Sequence, residues 1–121
     1  MTDRRLFLGL LTAMSAASIA CGPAAAQSAV TKIVVPFNPG GGTDVYVRML
    51  AEEMTKRGNR VIVENKPGAS AVIAADYVAK SKPDGQTLVV SFVGMLGTNT
   101  ILFDKLPYDP QKDFTSVSQI A

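Results

Sequence analysis

Short apolar runs alternate with longer amphipathic stretches along the chain from about residue 30 onward. The β-branched runs at 31–36, 61–64 and 87–92 predict three strands. The stretches between them, at 43–57 and 70–80, predict helices. Strands joined through helices predict an α/β fold with a parallel sheet, and continuous Val/Ile/Leu runs are typical of strands buried on both faces.

Signals at the ends of these stretches define the predicted elements more closely. Thr43 is the expected N-cap of the first helix, and Lys56-Arg57-Gly58 is a typical C-terminal stop. The apolar residues that share one side are Val45, Met49 and Leu50 in the first helix, and the candidate packing positions of the second are Val72, Ile73, Tyr77 and Val78. Further along, 99–103 predicts a short helix and 114–121 a fourth strand.

Residues 1–26 have the pattern of a secretory signal peptide. A basic start at 1–5 precedes an uncharged apolar run at 6–20, which is shorter than the roughly 20 residues that span a bilayer. Small residues then form an Ala-x-Ala cleavage pattern that ends at Ala26. We therefore predict export to the periplasm and cleavage after Ala26, with 27–121 as the mature chain.

Two features of this leader leave alternatives open. Arg4-Arg5 followed by Leu6-Phe7-Leu8 resembles the twin-arginine export pattern, but Asp3 stands where Ser or Thr is usual, so Sec export is equally compatible. Cys21 follows Ser18-Ile19-Ala20, a weak lipoprotein box. A lipid anchor at Cys21 is the less favoured alternative to its removal with the signal peptide.

Composition excludes several classes of function. Twelve Lys and Arg against ten Asp and Glu give a formal charge of +2, which argues against a nucleic-acid binder. There is no His, the commonest general base and metal ligand. The single Cys allows neither an intrachain disulfide nor a zinc cluster. We therefore expect no catalytic residues, no metal and no cofactor.

The glycine-rich segment 38–44 (NPGGGTD) lies between the first strand and the first helix. Backbone N–H groups at glycines and at a helix N-terminus favour an anion. No P-loop lysine follows, and the third glycine of a dinucleotide fingerprint is replaced by Val45. A carboxylate is therefore the better candidate. The alternative is a tight turn in which Thr43 caps the helix; Asp44 would repel a ligand carboxylate, which favours a bracing role for it.

Four segments in the same order carry a family resemblance. They are Ile33–Asp44 (IVVPFNPGGGTD), Val63–Ala69 (VENKPGA), Lys82–Leu88 (KPDGQTL) and Leu106–Pro110 (LPYDP) with Asp113-Phe114. The chain resembles the Bug family, the periplasmic solute-binding proteins of tripartite tricarboxylate transporters. The resemblance spans nearly all of the mature chain.

That resemblance implies a fold and a site. The expected fold is a periplasmic-binding-protein-like lobe of the type II, Venus-flytrap class, with a parallel-rich sheet that is incomplete here because family members are more than twice as long. The residues that the resemblance assigns to carboxylate binding are Phe37, Gly41, Gly42, Thr43 and Asp44 in the first loop, with Asn99 after the third strand. In the second loop the family's glycines and asparagine are replaced by Ser70-Ala71-Val72, and Ser70 is the remaining candidate donor.

The leading hypothesis is the N-terminal part of lobe 1 of a monomeric carboxylate-binding protein that works with membrane transporter subunits. A non-functional truncated remnant is one alternative, and a small exported enzyme using Asp44 with Glu64 or Asp84 is another. The segment Phe92–Leu96 is more apolar than the family's usual loop, which indicates an altered or hydrophobic ligand. For the chain by itself we expect low stability and little ligand affinity.

Overall fold

The computed structural model describes residues 29–120. Three strands form a parallel sheet in the order β2-β1-β3: β1 is Val30–Val35, β2 is Arg60–Asn65 and β3 is Thr87–Val89. The parallel sheet predicted from the alternation of elements is confirmed. The predicted signal peptide, its cleavage site and Cys21 lie outside the described residues.

Strand β3 is shorter than the predicted run at 87–92 because β1 lacks a backbone N–H donor at the position where their pairing would continue. Along this pair the N–H of Lys32 donates to the Gln86 carbonyl at 2.7 Å, and the N–H of Val90 donates to the Val34 carbonyl at 2.9 Å. The pattern repeats every two residues, so a further bond would need an N–H at position 36. That residue is Pro36, which has none.

The two longer helices cover opposite faces of the sheet. Helix α1 is Gly42–Lys56, α2 is Val72–Ala79 after a 3₁₀ turn at Ala69–Ala71, and α3 is Asn99–Leu102 after a π-helical turn at Gly94–Thr98.

One buried cluster joins Ile33 and Val35 of β1 to Val47 of α1. A second cluster comprises Ala71, Ala75, Met95 and Tyr108. Strand β1 is therefore the centre of the molecule, with all three of its last residues buried.

The packing face of α1 differs from the predicted one, and that of α2 agrees with it in part, since Val72 packs against the second cluster. Helix α1 buries Asp44, Val47 and Ala51, whereas Val45, Met49 and Leu50 are exposed. Helix α2 buries Ala74 and Ala75 and exposes Ile73, while Val72, Tyr77 and Val78 are half-buried. Ala51 in α1 and Ala74 and Ala75 in α2 are small residues at the buried positions, and in α1 the larger apolar side chains were the wrong indicator of the buried face.

Two element ends are also corrected. The N-cap of α1 is Gly41, in extended conformation, and Thr43 lies inside the first turn without capping it. Residues 114–120 form no strand and pair with none of the three described strands. An extended segment becomes a strand only when a neighbour satisfies its N–H and C=O groups.

The C-terminal stop at Gly58 is confirmed, with φ of 90° at that glycine. Within residues 29–120 no helix has the length and apolar character to cross a membrane.

Candidate functional site

The loops that follow the three strands meet at the carboxyl edge of the sheet. The rings of Phe37, after β1, and Phe92, after β3, have centroids 5.3 Å apart. The amide of Asn65, at the end of β2, donates to the carbonyl of Phe37 at 3.1 Å. Ligands of open parallel α/β sheets bind at this edge, so the three loops form the candidate site.

Asp44 is the electrostatic centre of the first loop. It is 2% exposed, and its Oδ2 accepts hydrogen bonds from the Arg48 Nε at 2.9 Å and from the Gly40 N–H at 2.8 Å. Its Oδ1 accepts from the Asn65 amide at 2.8 Å. The Arg48 guanidinium, followed by the Gly40 N–H and the Asn65 amide, holds the pKa of Asp44 far below its usual value.

These contacts make Asp44 a brace for the loop. Arg48 also donates through Nη2 to Asn65 Oδ1 at 2.8 Å, so Asp44, Arg48 and Asn65 form a closed triangle of hydrogen bonds. The bond to Gly40, whose φ is +87°, fixes the glycine turn before α1. The negative charge of Asp44 is thus paired with the positive charge of Arg48. This pairing reduces the repulsion that Asp44 would exert on a carboxylate ligand.

The sequence predictions omitted Arg48 and Asn65. Arg48 carried a usable signal, because Asp and Arg four residues apart share one face of a helix. Asn65 carried no local signal, since it lies 21 residues from Asp44 and reaches it only through strand pairing. Its place at the carboxyl end of a predicted strand was the sole indication.

The remaining first-loop residues are accessible at the N-terminus of α1. Gly41 and Gly42 are exposed, Thr43 is half-buried and Phe37 is 38% exposed. A side chain built at Gly42 would meet nothing within 4 Å, so the backbone there faces open space. The first N–H groups of a helix have no partner within it, and the helix dipole places partial positive charge beside them.

The second loop holds Ser70, and Asn99 lies behind it. Asn99 is 1% exposed, and its amide donates to the Ser70 carbonyl at 2.8 Å and toward the Tyr108 hydroxyl at 3.3 Å. The structure therefore divides the predicted site residues into two groups. One comprises Phe37, Gly41, Gly42, Thr43 and Asp44, and the other comprises Ser70 and Asn99.

A groove of about 920 Å³ borders part of the first group. Its lining mixes apolar and polar side chains and includes Phe37, Thr43, Tyr46, Phe92, Val93 and the segment 116–120. Phe37 and Thr43 belong both to this groove and to the predicted site. Among residues 29–120, no group of three Asp, Glu or Cys side chains is arranged to hold a metal ion.

The three-stranded parallel sheet with helices on both faces has the fold of the periplasmic binding proteins. The structure aligns with MatC from Rhodopseudomonas palustris with bound malate at a TM-score of 0.64 and 45% identity, over 71% of this chain and 30% of MatC. It aligns with the periplasmic binding protein BugD at a TM-score of 0.64 and 38% identity, over 70% of this chain and 28% of BugD.

The family itself is identified by sequence. The tripartite tricarboxylate transporter family receptor, TctC, matches residues 46–121, and the chain belongs to this family. BugT from Bordetella pertussis is 40% identical over 91 residues, which cover 74% of this chain and 28% of BugT. The chain spans about a third of the length of the curated relatives that it matches. The family predicted from the four segments is confirmed, as is the binding-protein fold.

Proposed function

We propose that this chain captures a small carboxylic acid in the periplasm and presents it to the membrane subunits of a tripartite transporter. The observation that carries the proposal is the accessible N-terminus of α1, where Gly41, Gly42 and Thr43 stand beside an aspartate already neutralised by Arg48. The 45% identity to a malate-bound relative supports the same ligand chemistry.

The ligand carboxylate would be held by neutral donors. The N–H groups of Gly41 and Gly42 and the hydroxyl of Thr43 lie at the positive end of the α1 dipole. Phe37 would form an apolar wall, and Ser70 would supply a hydroxyl from the second loop. Asp44 would act by fixing the first loop, because its oxygens already accept three hydrogen bonds.

This function is binding without covalent chemistry. Asp44 is a poor general base, since its lowered pKa and its three donors stabilise the ionised form. Glu64 is likewise engaged, by Lys66 at 2.8 Å and Lys32 at 2.9 Å. We propose that residues 27–121 form the N-terminal part of lobe 1, act as a monomer and reach the periplasm through the leader at 1–26.

Thermal unfolding of residues 27–121 with a panel of acids tests the proposal. Hexanoate, malate, adipate and citrate would be compared with a chloride control at matched ionic strength. At millimolar concentration at least one acid should raise the melting temperature slightly, because a ligand of the native state stabilises it and the affinity expected for this chain by itself is low. A broad melt that no acid shifts would overturn the proposal and favour a non-functional remnant.

A matched pair of variants tests the site. Thr43→Val removes the hydroxyl at the start of α1, and Thr115→Val removes one from an exposed loop residue. Thr43→Val should weaken binding of the preferred acid about 2- to 10-fold, the range for one neutral hydrogen bond. Thr115→Val should leave the affinity unchanged, and equal effects of the two substitutions would remove Thr43 from the site.

A further inference from the structure

The second loop contains a backbone conformation that its residues disfavour. Ala69, Ser70 and Ala71 have φ of 47°, 52° and 70°, directly after Gly68 at 125°. Residues with a Cβ rarely adopt the left-handed region, and three in succession must be held by their surroundings. Such strain is concentrated at ligand-binding loops in proteins, and this turn lies at the carboxyl end of β2, just before α2.

The contact that reaches the middle of this turn comes from far along the chain. The Asn99 amide, at the start of α3, donates to the carbonyl of Ser70 at 2.8 Å. Asn99 is itself fixed, being 1% exposed and bonded to the Tyr108 hydroxyl at 3.3 Å. Tyr108 is 5% exposed and donates to the Met95 carbonyl at 2.8 Å.

Packing holds one residue of the turn, Ala71, and a hydrogen bond holds another, Ser70. Ala71 is 3% exposed and belongs to the buried cluster with Ala75, Met95 and Tyr108. Ala69 and Ser70 are exposed, so packing does not hold them. The local bond from the Ala71 N–H to the Gly68 carbonyl, at 3.0 Å, closes the turn without involving the Ser70 backbone. The bond from Asn99 is the one that fixes Ser70.

We propose that Asn99 is a positioning residue that clamps the Ser70 carbonyl and holds residues 69–71 in the left-handed turn that presents the second loop to the ligand. The effect on ligand binding rests on the proposed function, whereas the effect of Asn99 on the turn is independent of it. This role replaces the direct ligand contact that the sequence predicted for Asn99. The burial of Asn99 and its two hydrogen-bond partners, Ser70 and Tyr108, disfavour such a contact.

The experiment compares the exported chain with Asn99→Ala and with the milder Tyr108→Phe, which removes the hydroxyl behind Asn99. Two readouts are recorded: NMR scalar couplings that report φ at residues 69–71, and the affinity for the preferred acid. Asn99→Ala should abolish positive φ at Ser70 and weaken binding about tenfold, in line with the strain that such a conformation stores. Tyr108→Phe should have a smaller effect of the same kind.

Rescue separates this role from simple core packing. Ala69→Gly, placed in the Asn99→Ala background, should restore part of the left-handed turn and part of the affinity, because a glycine at position 69 removes the strain at one of the three positions. Thr115→Gly, at an exposed residue outside the positive-φ set, is the matched control and should restore neither. Equal behaviour of the two glycine substitutions would overturn the proposal.

The two readouts also separate this proposal from the function on which it rests. If no acid binds the parent chain but Asn99→Ala still abolishes positive φ at Ser70, the proposed function fails and the clamp stands. If acids bind and Asn99→Ala keeps both the turn and the affinity, the clamp fails and the function stands. Loss of the turn with unchanged affinity would overturn the positioning role. Trimethylamine N-oxide, present throughout, keeps low stability from obscuring these comparisons.

Discussion

The amide of Asn65 lies 2.8 Å from the Oδ1 of Asp44, so the last residue of β2 is tied to the first turn of α1. The same amide donates to the Phe37 carbonyl in the loop between β1 and α1. One side chain thus joins the ends of two strands and the start of a helix. The geometry of the first loop is therefore set by tertiary contacts as well as by its glycines.

The Asp44 interactions predict acid sensitivity. The pKa of Asp44 is lower in the folded chain than its usual value of 3.8, so the stability gained from its ionised form is fully present above that value. It is lost progressively as the pH falls below 4. Asp44→Asn should be less stable than the parent at pH 7 and should lose less stability between pH 5 and pH 2.

Urea unfolding at several pH values measures this difference. Asp84→Asn is the control, because Asp84 is exposed and receives only the Gln86 N–H in a turn. Parallel pH profiles for the parent and Asp44→Asn would contradict the role assigned to the triangle of Asp44, Arg48 and Asn65.

The buried face of α1 can be tested with two substitutions on one helix. Val47 is fully buried between α1 and β1, whereas Met49 is 62% exposed. Val47→Ala should cost about 2 kcal/mol, lowering the melting temperature of so small a domain by about 10 °C. Met49→Ala should change the stability by no more than about 0.5 kcal/mol. Circular dichroism melts measure both changes in stability. A larger loss of stability in Met49→Ala than in Val47→Ala would support the buried face predicted from the sequence.

Glu64 joins two cations on the surface of the sheet. Its Oε1 lies 2.8 Å from Lys66 Nζ and its Oε2 lies 2.9 Å from Lys32 Nζ. Lys66 and then Lys32 lower the pKa of Glu64. Because the side chains are partly exposed, Glu64→Gln should cost only up to about 1 kcal/mol, and the difference should shrink in high salt. A loss of stability that is independent of salt would show that screening does not govern this contact.

Gly94 controls the position of the Phe92 ring. A Cβ built at Gly94 would collide with Cε2 of Phe92, so Gly94→Ala should push that ring away from Phe37. Gly97→Ala is the matched control, since nothing lies within 4 Å of its Cβ position. Loss of ring-current shifts between the two phenylalanines in Gly94→Ala alone is the expected NMR result. Unchanged shifts would mean that the rings adapt together.

The sequence predicted the order of elements well because each carries a local signal. The β-branched runs defined β1 and β2, and Gly58 ended α1 as expected. The buried face of α1 was predicted wrongly because large apolar residues were preferred over Ala51 and the neutralised Asp44. Periodicity identifies which residues share a side, but burial depends on the neighbour that the helix meets.

The candidate site was predictable only in part for a related reason. The glycine loop and Asp44 stand together in the sequence and could be selected there. Asn65 and Asn99 contact residues that are 21 and 29 positions away in the chain, so their partners could not be deduced from local pattern. The left-handed turn at 69–71 was equally hidden, because Ala and Ser are not residues that ordinarily indicate positive φ.

The central place of β1 has a consequence for how the molecule assembles. Its register pairs Val30 with Arg60 of β2 and Lys32 with Thr87 of β3, so the second pairing closes a loop nearly twice as long as the first. Loop closure costs more entropy as length increases, and β3 contributes only three residues to the ladder. We therefore expect β1, α1 and β2 to form the folding nucleus. Strand β3, with the Asn99 clamp behind it, would join late and would be the first part to open in native-state hydrogen exchange.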